Sequence, residues 1–557
     1  MGRFTAEIEG SDFVVRDTHD SDRIVIEMPK SDLHGPGGGG SGALATLTDF
    51  VINAVEREFE TPYGAELEMG FDLEFELTAP GGGSAKEVGI FALYGIMLGV
   101  PVLELDTHTG GGVGTGFLSR SNQSNSKVYP GGSYAPLVVL RTNSNLYNVC
   151  AAICCDVTTY NHPFNIVTSA FATGTEVEFQ ARSPGGAWAT IPAGLVRKYA
   201  VSFRINDRTN TNIGPAADAP QEWLWTVRGY QRYFRARYGK PNYRAMGGWN
   251  GRTVATLNAS AGTHADPGNL RSWNPDRDPL QTDGYQMFAT QALAKKALNI
   301  DRVIIWALSG WHPPAFNLSH NYPFRFATGI FDADMNSTAQ NSVHPALERI
   351  RHGGLQQGLW WGRCTQTNNS SDWKEPQDPA VFIDLSNPTT IALALAESDL
   401  AVLEWGSTVI GLDAYAFTNP GDGVRWLQIL KARYPRALLI TEIALPDIYH
   451  VIAPTYIIEP FPQGSYTRPY WLHHYINPGS ECHLQFDYDA GDQAIRTTEV
   501  ADMGFTPCTG YLAAISAGTR AVDRWSELGE VSITSYDTAI AGHTSRDRDK
   551  LQRAMIR

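Results

Sequence analysis

Four short apolar runs in the second half of the chain each end on an acid. Val409-Ile-Gly-Leu precedes Asp413, Leu438-Leu-Ile-Thr precedes Glu442, Thr455-Tyr-Ile-Ile precedes Glu459, and Cys482-His-Leu-Gln-Phe precedes Asp487. A pair of carboxyl groups can work on one bond from two sides. One attacks or activates water, while the other, kept protonated, gives its proton to the leaving oxygen. Cleaving a glycosidic bond needs such a pair in one cleft, in surroundings that push their pKa values apart. Asp413 is the expected nucleophile, and Glu459 and Glu442 are alternatives for the proton donor. Substrate contacts are expected from the flat faces of Trp249, Trp311, Trp361 and Tyr415 and from the polar groups of His312, Arg363, Asp447 and Asp487. Bland roles compete: Asp413 as a cap for the following loop, Glu442 as a buried ion-pair partner held for structure, and whichever of Glu442 and Glu459 is not the donor as a substrate contact or a partner of Arg363.

Such residues converge only if the runs that carry them are strands of one sheet. Strands are expected at Tyr243–Gly248, Arg302–Leu308, Gly358–Arg363, Val409–Tyr415, Leu438–Glu442, Thr455–Glu459, Cys482–Asp487 and Phe505–Thr509. Helical runs lie between several of them: Asp283–Asn299, His344–His352, Pro388–Glu404, Gly421–Tyr434 and Asp492–Met503. Asn387-Pro388 and Asn419-Pro420 supply helix starts. Short apolar strands alternating with helices call for a parallel sheet, and eight over roughly 270 residues suits a (β/α)₈ barrel. Active sites of such barrels form at the C-terminal strand ends. An open doubly wound sheet is the alternative, but no G-x-G-x-x-G follows the first strand.

At 557 residues the chain exceeds what a single core supports, so more than one domain is expected. Residues 1–220 are expected to form a β-rich, sandwich- or jelly-roll-like domain. Its strands are placed near Phe13–Val15, Arg23–Met28, Glu66–Leu77, Ala135–Arg141, Glu176–Ala181 and Leu195–Ile205. A Gly-rich linker falls near 34–42, and Leu47–Glu58 reads as a short amphipathic helix. Trp223–Tyr238, within a connecting segment 221–241, is an aromatic, basic helix expected to pack between two domains, and 242–557 is the barrel.

Lys and Arg total 44 against 58 Asp and Glu, a formal charge of −14, which argues against a nucleic-acid partner. No apolar run of 18 residues suggests a membrane span, and the opening MGRFTAEIEGSDF lacks the features of a signal peptide. The cellular location is left open between cytoplasm and particle. Cys150, Cys154 and Cys155 cluster without a zinc pattern and are expected as free thiols. No metal or cofactor is expected. His473-His474 and the D-x-D-x-x-D of Asp487, Asp489 and Asp492 are incomplete metal patterns.

The order of a β-rich N-terminal region, an aromatic helix and a barrel with Asp at its fourth strand end resembles the α-galactosidase and α-glucosidase superfamily of retaining glycosidases. By strand position the resemblance implies Asp413 as nucleophile and Glu459 as proton donor, with retention at the anomeric carbon. The chain differs from that group at Gly411, where a Lys is usual, and at Glu459, where the donor is normally Asp. The leading expectation is therefore a glycoside hydrolase acting on a poly- or oligosaccharide. Its competitors are a non-enzymatic carbohydrate-binding or structural part of an assembly such as a phage tail or virion, and a metal-dependent hydrolase using His312, Asp413 and Asp487. A homo-oligomer or an assembly partner is compatible with either of the first two.

Overall fold

A computed structural model describes residues 4–9, 12–18, 23–29, 46–61, 64–78, 85–86, 104–106, 118–119, 125–130, 134–141, 147–171, 174–181, 190–191, 195–207, 226–241, 243, 254–258, 289–290, 292–298, 300–306, 337–361, 385, 388–412, 415, 419–442, 447–459, 476–477, 482–486 and 506–509. The first half is antiparallel throughout its described ladders. β1 (Phe4–Glu9), β2 (Asp12–Asp17) and β3 (Arg23–Pro29) make one small sheet. A seven-stranded sheet runs β4 (Thr46–Thr61), β5 (Gly64–Thr78), β15 (Val196–Asp207), β11 (Tyr147–Ile153), β10 (Leu137–Arg141), β7 (Glu104–Asp106) and β8 (Leu118–Ser119). β9 (Asn125–Tyr129), β12 (Phe164–Phe171) and β13 (Gly174–Ala181) form a three-stranded sheet, and β6 (Ala85–Lys86) pairs with β14 (Thr190–Ile191). Phe164 of the three-stranded sheet meets Tyr199 of the seven-stranded one edge-on at 6.1 Å, so the two sheets share buried aromatic side chains.

Leu47–Glu58, expected as a helix, is strand. Leu47, Phe50, Val51, Ala54 and Val55 fit helical spacing, but the same stretch pairs with β5 from Thr46↔Thr78 to Thr61↔Gly64. Pairing along a whole strand outweighs local propensity, which is only a weak prior.

The second half closes a barrel of eight parallel strands: β16 (Val254–Asn258), β17 (Arg302–Trp306), β18 (Gln356–Trp361), β19 (Val409–Leu412), β20 (Leu438–Glu442), β21 (Thr455–Glu459), β22 (Cys482–Phe486) and β23 (Thr506–Thr509), with β23 pairing back to β16. Seven of the expected strands lie where the sequence put them. The first does not, since Val254–Asn258 replaces Tyr243–Gly248. Tyr243 instead joins an interior cluster with Val254, Ile304, Trp360, Val409, Leu438, Ile440, Tyr456 and Cys508, filling the barrel as a packed core.

Described helices flank the strands. α1 (Val157–Tyr160) belongs to the first half and α2 (Arg228–Tyr238) to the connecting segment. α3 (Ser337–His352), α4 (Pro388–Asp399), α5 (Pro420–Arg433) and the short α6 (Asp447–His450) accompany the barrel. α4 and α5 start on the prolines singled out in the sequence; α4 runs into a π-helical turn, Leu400–Glu404. No described helix is long and apolar enough to cross a membrane.

α2 packs between the two halves. Its Gly229 lies so close to Ser202 and Arg204 of β15 that an added Cβ would stand 2.7 Å from Ser202 Oγ, while its Tyr230 reaches the barrel side. A second seam joins α1 to α5. Asn161 donates from Nδ2 to Asp422 Oδ2 (2.9 Å) and accepts on Oδ1 from the Asp422 backbone N–H (3.0 Å).

Candidate active site

At the mouth of the barrel the strand ends carry acids in sequence. Asp413 follows Leu412, the last residue of β19; Glu442 and Glu459 are the last residues of β20 and β21; Asp487 follows Phe486 of β22. Leu412 pairs with Thr441, so Asp413 and Glu442 are each one residue beyond a matched pair on adjacent strands. Side chains alternate along a strand with a period of two. Glu442 shares the parity of the interior residues Leu438 and Ile440 along β20. Glu459 has the opposite parity to Tyr456, the interior residue of its strand. Trp361, Glu442 and Glu459 are placed by their strand backbones. Asp413, Trp249, Trp311, His312, Arg363 and Asp487 lie outside the described residues. With the first strand moved to Val254–Asn258, Trp249 precedes that strand instead of ending it.

Beneath the strand ends sits Trp360, buried on β18 and tilted against Tyr456 at 4.7 Å. It is paired in register with Gly411.

Tyr415 and Asp447, expected at the substrate, are both fully buried and bonded within the protein. Tyr415 donates to the Gly423 carbonyl of α5 at 2.5 Å and meets Tyr449 of α6 edge-on at 5.1 Å. Asp447 accepts from Tyr129 (2.7 Å) on one oxygen and from Tyr230 (2.5 Å) on the other, with the Ile448 N–H adding a third bond at 2.8 Å. Burial pushes its carboxyl up to about 7, partly opposed by the two phenols. The tyrosines that hold it were missed in the sequence. They come from β9 and α2, and no local spacing links them to a residue of the barrel.

No protein-family model matches the sequence, and no curated protein matches it. Solved structures do. The galactosidase domain of an α-galactosidase–sucrose kinase superposes with a TM-score of 0.50 at 12% identity, over 93% of this chain and 76% of that one. A GH36 α-galactosidase variant from Geobacillus stearothermophilus, in complex with 1-deoxygalactonojirimycin, gives 0.52 at 10% identity over 95% and 87%. Another variant of that enzyme, in complex with raffinose, gives 0.52 at 10% identity over 95% and 76%.

The chain shares the fold of these α-galactosidases.

Within this barrel, Gly411 has a packing reason. A Cβ there would fall 2.0 Å from Trp360 Cε3, far inside van der Waals contact with the indole, so a lysine has no room while Trp360 stays in place. Gly411→Ala is expected to lower stability by about 1–3 kcal/mol through overpacking. A denaturant midpoint equal to that of the parent protein would mean that Trp360 does not fill this space.

Proposed function

We propose that this protein hydrolyses glycosidic bonds of an oligo- or polysaccharide, with Asp413 as nucleophile and a glutamic acid of the neighbouring strand ends as proton donor. The observation that supports it most is the run of acids at or immediately after four consecutive strand ends, β19 to β22, of a closed parallel barrel. Loops are polar in general, but active sites of such barrels are built at this end. The two α-galactosidases described above make α-galactosides the first substrates to test. Fold likeness alone does not fix a reaction, and the filled space at Gly411 removes the lysine usual in that group, so the sugar accepted is expected to differ in at least one hydroxyl contact.

Two glutamates compete for the donor's role. Strand position relative to the resembled superfamily favours Glu459; alternation along the strands favours Glu442. Adjacent strands lie about 4.8 Å apart, a backbone spacing compatible with the carboxyl separation of about 5–5.5 Å that goes with a covalent intermediate and retention. Trp361, Arg363, Trp311 and His312 are assigned to the sugar, while Tyr415 and Asp447 act from behind, holding the loops. Residues 1–220 are read as a sandwich-like domain, 221–241 as the connection and 242–557 as the catalytic barrel. The test is a panel of aryl glycosides of both anomers, followed by release of the aryl alcohol. Hydrolysis of one of them, lost in Asp413→Asn, supports the proposal; a protein that turns over none, and binds sugar without cleaving it, belongs to the non-enzymatic class.

A further inference from the structure

α6 has four residues, Asp447–His450, and three of them reach different parts of the protein. Besides its two tyrosine partners, Asp447 donates its backbone N–H to the Tyr134 carbonyl at 2.9 Å. Tyr449 carries Tyr415 on its edge. His450 Nδ1 lies 3.2 Å from the Tyr134 hydroxyl, and Asn477 Nδ2 donates both to that hydroxyl (2.9 Å) and to the Asp447 carbonyl (3.1 Å). So short a helix has no stability of its own; its position is set by these partners, and the first half and α2 supply Tyr129, Tyr134 and Tyr230. Along the chain α6 begins five residues after Glu442, and Tyr415 stands two residues after Asp413.

We infer that the N-terminal region and α2 position the catalytic carboxylates through α6, with Asp447 as the positioning residue. Asp447 is fully buried and bonded within the protein. It fixes the start of α6 to Tyr129 and Tyr230, and α6 in turn holds Tyr415 through Tyr449. Its catalytic consequence rests on the glycosidase reading; the mechanical coupling does not. Removing the two phenols therefore acts on the chemistry at a distance and leaves the sugar contacts in place.

The test compares Tyr129→Phe with Tyr230→Phe combined in one full-length chain, Asp447→Asn, and Arg237→Ala as a control. Arg237 pairs with Asp156, the residue that caps the start of α1. The double tyrosine variant is expected to lose about tenfold or more in kcat, as small misplacements of reacting groups do, with KM within about twofold. Asp447→Asn, still able to accept a hydrogen bond, is expected to keep most of the parent kcat, and Arg237→Ala to lower the melting temperature while keeping kcat. An unchanged kcat in the double variant, alongside a lowered melting temperature, overturns the inference. If the parent protein cleaves no glycoside, the functional reading falls, and hydrogen exchange judges the coupling alone. Faster exchange at Tyr415 and Leu438–Glu442 in the double variant supports it; unchanged exchange there overturns it.

Discussion

Asp413→Asn is expected to lower turnover of the best aryl glycoside by roughly 10⁴-fold, the scale of removing a member of a catalytic set. Glu442→Gln and Glu459→Gln then separate the donor from its neighbour. Loss of the donor costs about 10²–10⁴-fold on substrates whose leaving alcohol needs a proton. It costs far less on an activated nitrophenol, which leaves unaided. Strand alternation predicts this leaving-group dependence for Glu442. Finding it in Glu459→Gln instead would show that the sixth strand end turns its last residue inward, as the superfamily analogy implies. If Asp413→Asn retains full turnover, the nucleophile lies elsewhere and the proposal fails.

The second large effect concerns Asp447. Asp447→Ala leaves two buried phenols and the Ile448 N–H without their acceptor, at a cost of about 3–5 kcal/mol. Asp447→Asn keeps an acceptor and is mild. The carboxyl is raised from its ordinary 3.8 to about 7 by burial, so the folded protein holds the proton more tightly than the unfolded chain. Between about pH 4 and pH 7 the folded state binds more protons, and stability falls as pH rises through that window, by about 4 kcal/mol at most. Around it stand Tyr129, Tyr230, Tyr238, Tyr134, Tyr449 and His450, phenols and one imidazole, with no carboxylate among them. Denaturant midpoints at pH 5 and pH 8 should fall more steeply for the parent protein than for Asp447→Asn. Parallel pH dependences in the two proteins would show that another group carries the effect.

Most barrel strands were legible because each is a short apolar run closed by an acid, Gly or Pro, and buried parallel strands require such runs. β20 and β21 match their sequence ranges residue for residue. β16 was not legible: Val254-Ala-Thr-Leu-Asn is short and carries two polar residues, and Tyr243, near the end of the connecting helix, looked like a strand start. β4 was misread because its apolar residues satisfy two periods at once, and only the ladder to β5 decides between them. At the site, sequence could mark the acids at the strand ends. It gave no hint that Asp447 is enclosed, since Tyr230 and Tyr129 lie 217 and 318 residues away from it.

That separation also orders the birth of the molecule. A ribosome adding about 5–20 residues per second completes Tyr129 roughly 16–64 s before it reaches Asp447, 318 residues later. Once α2 has followed, 217 residues still separate Tyr230 from Asp447, and until they are made the phenols of the first half and α2 have no carboxylate to donate to. A chain stalled short of Asp447 displays this surface to chaperones and to other nascent chains, and passage of the ribosome beyond α6 is the event that lets the two halves close.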